Sequence, residues 1–513
     1  MTMKFISKTF VSLFLLAFIF TSCSDSFDSL VNERLENNPI PEPISGDAGN
    51  AVLTNYVALG SSQTAGLMDG ALYNNGQRFS LAALIAAQFQ LAGAPESFNQ
   101  PSINSSNGCN IAITDNCLSS TPLGRFKLDP SIPGPSPTVN GDPIQAYGGS
   151  TSELNNFGVP GIQIGQMLTP LTGGPQSPQN PAFNPFYARF ASSPGSSTIL
   201  GDALSTGPTF FTLWIGDNDL LGYALSGATN NNVFTSAEDF EIRINAVINT
   251  ILNNSTANGV VATIPPILSF PFFRAVPHNP IPLSQPQADQ LNQGYSAYNN
   301  GLQAARQGGL INEEEANRRT IQFSAGPNRF VMEDSDLTNL SGLGLPNWRQ
   351  SEPTDLVLLT AAQAFPTGVG TQSAAPESLV LTPENQAEIQ QRSNQFNVAI
   401  ATSAIQNADR VALLDVNSGL PGNPNTVLGF YADLLGFDGE AGIRVDGTLL
   451  APDFSPNGVY STDGIHLNAR GNAIVANEFL RAIESNFNAS IPKVKVLNLP
   501  SVSLCAGDCV SQQ

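Results

Sequence analysis

The order of apolar segments along this 513-residue chain predicts an α/β fold in which a parallel sheet is sandwiched by helices and interrupted by long loop and cap insertions. Two observations carry that expectation. Short apolar runs alternate with stretches of helical periodicity, and glycine, proline or small polar residues punctuate the junctions. Apolar residues make up 41% of the chain, enough for a buried core, while 45 Gly and 38 Pro leave ample material for ordered loops.

The fold begins near Asn55. Tyr56-Val57-Ala58-Leu59 is a short apolar run ending at Gly60, and Leu81, Leu84, Ile85 and Phe89 follow at helical spacing. Phe210 to Ile215 reads as a buried strand. The capping box Thr235-Ser236-Ala237-Glu238 then opens a helix with Phe240, Ile244, Val247, Ile248 and Ile251 on one face. Gly259 to Ile264 is a third strand, stopped by Pro265-Pro266. A long helix starts at Thr382-Pro383-Glu384, buries Ile389, Phe396 and Ile400, and leads into a strand over Val411 to Asp415. Loop-rich insertions are expected at about 94–150, 169–204 and 270–378. The last reads as a cap, with residues 319–323 and 328–332 paired as a hairpin around Ser324-Ala325-Gly326-Pro327.

Charge narrows the function. Charged residues are only 12%, and 41 acidic against 21 basic residues give a net charge of −20, which repels phosphate backbones and excludes nucleic acid as a favoured partner. At the N-terminus, Lys4 and Lys8 precede an apolar run from Phe10 to Phe20 that has signal-peptide length and is too short to span a bilayer. Phe20-Thr21-Ser22-Cys23 resembles a bacterial lipobox, which implies acylation of Cys23 after cleavage; an ordinary signal peptide is the competing reading. Ser24 to Asp28 resembles the acidic tag of surface-directed lipoproteins. The remaining cysteines form two pairs close in sequence, so Cys109 is expected to bond Cys117 and Cys505 to bond Cys509 in an oxidising compartment. Zinc competes poorly with that pairing, because the chain holds only His278 and His466.

Scarcity makes His466 informative. In Asp463-Gly464-Ile465-His466 the Asp can fix one ring nitrogen while the other accepts a proton, although Asp-x-x-His is also a common structural motif. Ser62 follows the first strand, where a nucleophile would meet unpaired N–H groups; serine is equally a preferred helix cap. Asn218, in Gly216-Asp217-Asn218-Asp219, can aim an amide at the same crevice, and Gly161, in Val159-Pro160-Gly161, can offer a backbone N–H. Each of these also reads as an ordinary turn. Phe270, Phe272 and Phe273 either line an acyl-binding wall or anchor the insertion, and His278 reads as a surface residue.

With these four blocks in order, the sequence resembles the SGNH hydrolases, the GDSL-type esterases, lipases and acylhydrolases, and in particular SGNH lipoproteins of the Bacteroidetes. The resemblance implies a three-layer α/β/α flavodoxin-like fold and a serine esterase. It implies Ser62 as nucleophile, His466 as base, Asp463 as its orienting acid, and the Ser62 N–H, Gly161 N–H and Asn218 amide as the oxyanion hole. It implies no cofactor and no metal. The sequence departs from the family where Asp and Leu usually flank the serine: Ser61 and Gln63 stand there, which leaves open how the nucleophile turn is braced. No Gly-x-Ser-x-Gly elbow is present, which argues against the larger α/β-hydrolase class.

The resulting organisation is a signal peptide at 1–22, a tether at 23–50, a hydrolase domain at 51–490 and a tail at 491–513. The expected location is the bacterial outer membrane, on its periplasmic or surface face, held through the lipid on Cys23. The expected substrate is a small-molecule, lipid or acetylated-glycan ester. The alternative is a surface lipoprotein that binds a glycan or protein partner without catalysis.

Overall fold

The computed structural model describes residues 45–113, 115–129, 138–417 and 441–510. The expectations for the signal peptide, the lipobox, Cys23, the acidic tag and most of the tether lie outside these residues.

Five strands form one all-parallel sheet: β1 (Tyr56–Gly60), β2 (Asn156–Gly158), β3 (Phe210–Trp214), β4 (Asn258–Ala262) and β5 (Val411–Leu414), in the order β2-β1-β3-β4-β5. Every residue of β1 and β3 is buried, as expected for near-continuous apolar runs covered on both faces, and so is every residue of β2. The chain's path reverses across β1 and β3, and ligands of such sheets collect at the carboxyl ends beside that switch point.

Helices α1 (Ser62–Ala65), α2 (Leu81–Leu91), α3 (Asn218–Leu225), α4 (Ala237–Asn254), α5 (Gln285–Gln307), α6 (Glu313–Arg319), α7 (Pro383–Gln406) and α8 (Ala469–Phe487) supply the covers and the insertions. On the sheet, α2 packs with α8 and α4 with α7. The α4–α7 seam includes Phe240 stacked on Phe396 at 3.9 Å, and Phe240, Ile244, Val247, Ile248 and Ile251 are all buried. Each such side chain contributes roughly 1.5–3 kcal/mol by leaving water.

Several expectations need correction. The cap of α4 is Ser236, whose hydroxyl accepts from Asp239 N–H; Thr235 instead turns inward and donates to Asp219. Ser62 heads a single helical turn ended at Gly66, so the first long helix waits until Leu81. Asn156–Gly158, just ahead of the Pro160-Gly161 turn, forms an edge strand that the sequence reading did not include.

The hairpin expected over 319–332 does not form. Residues 326–328 pair with 281–283, and 331–333 with 348–350. Residues 320–323 run extended along α5, where Asn299 takes both backbone groups of Ile321 and Asn292 takes both of Phe323. Two asparagines seven residues apart on one helix face thus stand in for a partner strand, satisfying the backbone without a ladder. The 270–378 insertion accordingly holds α5 and α6, two single-turn helices and its own apolar clusters, one around Tyr298, Leu302 and Ile321, another around Phe330, Met332 and Val357.

Both expected disulfides are present, Cys109–Cys117 and Cys505–Cys509. Among the described residues no helix is long and apolar enough to cross a membrane.

Candidate active site

Each residue predicted for the catalytic set or the oxyanion hole sits just beyond a strand end or in the loop before α8. Ser62 follows β1. Gly161 follows β2, and its N–H reaches Ser62 Oγ at 3.3 Å. Gly161 has φ +74°, a left-handed conformation that glycine adopts without strain. Asn218 opens α3 after β3, with its Nδ2 3.1 Å from Ile162 O, so the amide lies against the residue next to Gly161. One of its two amide hydrogens is used there, leaving the second for another acceptor. Gly216 makes this placement possible: at φ +114°, an added Cβ would stand 2.7 Å from Ile264 Cδ1 and 2.8 Å from the Phe240 ring.

Opposite these groups, the 460–467 loop is closed by Ser461 N–H donating to His466 O at 2.7 Å. Within it, Asp463 Oδ1 accepts from the backbone N–H groups of Ile465 and His466, both at 2.8 Å, and Oδ2 lies 2.8 Å from His466 Nδ1. Oδ2 also accepts from Gly70 N–H at 2.7 Å. Burial pushes the Asp463 carboxyl up, but His466 and the surrounding donors outweigh it and hold the group below its ordinary value. An ionised Asp463 can only accept, so Nδ1 carries a proton, and in the neutral ring this tautomer leaves the lone pair on Nε2.

In comparisons with protein-family models, curated proteins and solved structures, nothing matched this chain.

Three groups that the sequence reading passed over complete the site. The Asp69-Gly70 tip, seven and eight residues after Ser62, clasps the histidine loop. Asp69 N–H donates to Ser461 Oγ at 2.9 Å, Asp69 Oδ1 accepts from Thr462, and Tyr73 donates to Oδ2. Burial raises the Asp69 carboxyl against the pull of those donors. An Asp-Gly pair is a turn signal, which is as far as the sequence could point. The third group is Asp217, half-buried, which accepts from Ser61 Oγ at 2.9 and 3.1 Å. Burial raises Asp217 as well, with Ser61 and His466 pulling the other way.

Ser61, Gln63, Trp214, Asp217, Pro265, Phe270, Ile465 and His466 line one small cavity. Residues around position 62 and around position 466 therefore meet at one sheet edge. Ser62, Asp463 and His466 are all buried. Gln63 Oε1 is enclosed without a hydrogen-bond partner. Phe270 faces this cavity, whereas Phe272 anchors the insertion: its N–H donates to Gly464 O and its carbonyl accepts from Leu359 N–H. His278 is half-buried, its carbonyl accepting from Ser351. Among the described residues, no cluster of His, Cys, Asp and Glu could hold a metal ion.

Proposed function

We propose that this chain is a serine esterase of the SGNH type, on a flavodoxin-like three-layer domain. One observation carries the reading: the Ser62 hydroxyl, the Gly161 N–H and the Asn218 amide gather at the sheet's switch point, facing a histidine loop whose carboxylate fixes the ring with Nε2 free.

In the proposed reaction Nε2 of His466 takes the Ser62 proton and the oxygen attacks the ester carbonyl. The Ser62 N–H, Gly161 N–H and Asn218 amide stabilise the oxyanion, while Asp463 balances the imidazolium. Collapse of the tetrahedral adduct passes the proton from His466 to the leaving alcohol, and water, deprotonated by the same nitrogen, then releases the acyl group as a carboxylic acid. The hydroxyl's partner in the structure is Gly161 rather than His466; catalytic hydrogen bonds of this kind tighten on substrate binding.

The two disulfides fit export to an oxidising compartment, and Cys23 is the proposed lipid anchor to the outer membrane. The test is hydrolysis of p-nitrophenyl esters of increasing chain length alongside acetylated polysaccharides. Turnover by the parent that disappears in Ser62→Ala and His466→Ala supports the reading; equal turnover by parent and Ser62→Ala overturns it. The preferred acyl length separates short-chain glycan deacetylation from lipid hydrolysis.

A further inference from the structure

Ser61 and Asp217 immediately precede Ser62 and Asn218 on the neighbouring strand ends of β1 and β3, where Gly60 stands opposite Trp214. Ser61 N–H donates to Trp214 O at 3.2 Å, continuing that register by one residue beyond the strand. Past this point the two chains diverge into α1 and α3, and the next cross-link between them is the Ser61 hydroxyl on the Asp217 carboxylate. Both side chains line the cavity that His466 also lines.

We infer that the Ser61–Asp217 hydrogen bond is a positioning clamp that sets the spacing between the Ser62 hydroxyl and the Asn218 amide. The inference rests on the esterase reading. Neither residue touches the reacting atoms. Because each sits one peptide from a reacting group, freeing either turn shifts nucleophile and oxyanion donor relative to each other, and displacements of about 1 Å cost on the order of 100-fold in rate. The clamp works as a hydrogen bond rather than as a charge, so an amide oxygen at position 217 preserves it.

The experiment measures kcat and KM on a p-nitrophenyl ester for the parent, Ser61→Ala, Asp217→Ala, the Ser61→Ala/Asp217→Ala pair and Asp217→Asn, with melting temperatures alongside. A clamp gives about 10- to 100-fold lower kcat in each single alanine variant, with KM held within about 3-fold. The double variant falls no further than the worse single, because both remove one interaction. Asp217→Asn stays within about 3-fold of the parent. Parent-like kcat in Ser61→Ala, multiplicative losses in the double variant, or a loss in Asp217→Asn equal to that in Asp217→Ala overturns the clamp. Should Asp217→Ala fail to fold, Ser61→Ala and Asp217→Asn decide the matter. A parent whose hydrolysis does not depend on Ser62 removes the esterase reading and the clamp together; Ser62-dependent hydrolysis with unaffected Ser61→Ala removes the clamp alone.

Discussion

Burial raises two carboxylates near the switch point, and in only one of them do the partners outweigh it. Asp463 accepts four hydrogen bonds and stays ionised, so Asp463→Asn removes the acceptor that holds Nδ1–H. Turnover is expected to fall by orders of magnitude with the fold retained, as an amide there selects the wrong tautomer; steady-state kinetics with circular dichroism checks both. Asn218→Ala, losing one oxyanion donor, is expected to cost about 10²- to 10³-fold in kcat. Asp219 is different. Burial lifts its carboxyl to about 7, even though Thr235 Oγ1 and Ile164 N–H both donate to it. The folded chain therefore holds this proton more tightly than the unfolded chain, whose Asp titrates near 4. Its contribution to stability is complete below about pH 4 and is lost as the pH rises through 7. In Asp219→Asn the amide oxygen can accept from Ile164 while its N–H donates to a reoriented Thr235 hydroxyl. Urea unfolding between pH 4 and pH 8 is expected to show a slope in the parent, worth on the order of a few kcal/mol, that is absent in the variant.

At the level of elements, the turn after β3 depends on Gly216. Gly216→Ala forces a Cβ against Ile264 and Phe240 in a backbone conformation that side chains rarely adopt. A loss of about 1–3 kcal/mol on chemical denaturation is expected, with a fall in kcat as Asn218 moves. The strands β1, β3, β4 and β5 were legible because a buried parallel strand is a near-continuous apolar run, and α4 and α7 because their apolar faces repeat at helical spacing. β2 was not, since Asn156-Phe157-Gly158 is a strand only by virtue of lying along β1. The extended 320–323 segment misled for a related reason: its backbone partners are side chains of α5, which no local pattern in the segment announces. The proposed site residues Ser62, Gly161, Asn218, Asp463 and His466 each sit in a local motif, so they could be nominated from the sequence. The Ser61–Asp217 contact could not, because it depends on the register of two strands whose partners are 156 residues apart.

Over the whole molecule, stability comes from one main core around the sheet, with satellite clusters under the 270–378 insertion and two short covalent loops. Closing the eight-residue Cys109–Cys117 loop restricts the unfolded chain, so Cys109→Ala/Cys117→Ala is expected to unfold about 2 kcal/mol more easily in denaturant. The fold brings chain segments almost 400 residues apart together: Gly70 N–H on Asp463 joins the segment after the nucleophile to the histidine loop. That long-range closure is the central claim, and on the proposed esterase reading its direct chemical consequence is an activated serine at position 62. The most direct test treats the folded protein with a fluorophosphonate probe and maps the adduct by mass spectrometry, with Ser62→Ala and His466→Ala as controls. Labelling at Ser62 that is lost in both variants is the expected result; an unlabelled Ser62 in the folded parent, or labelling of Ser62 undiminished in His466→Ala, would contradict it.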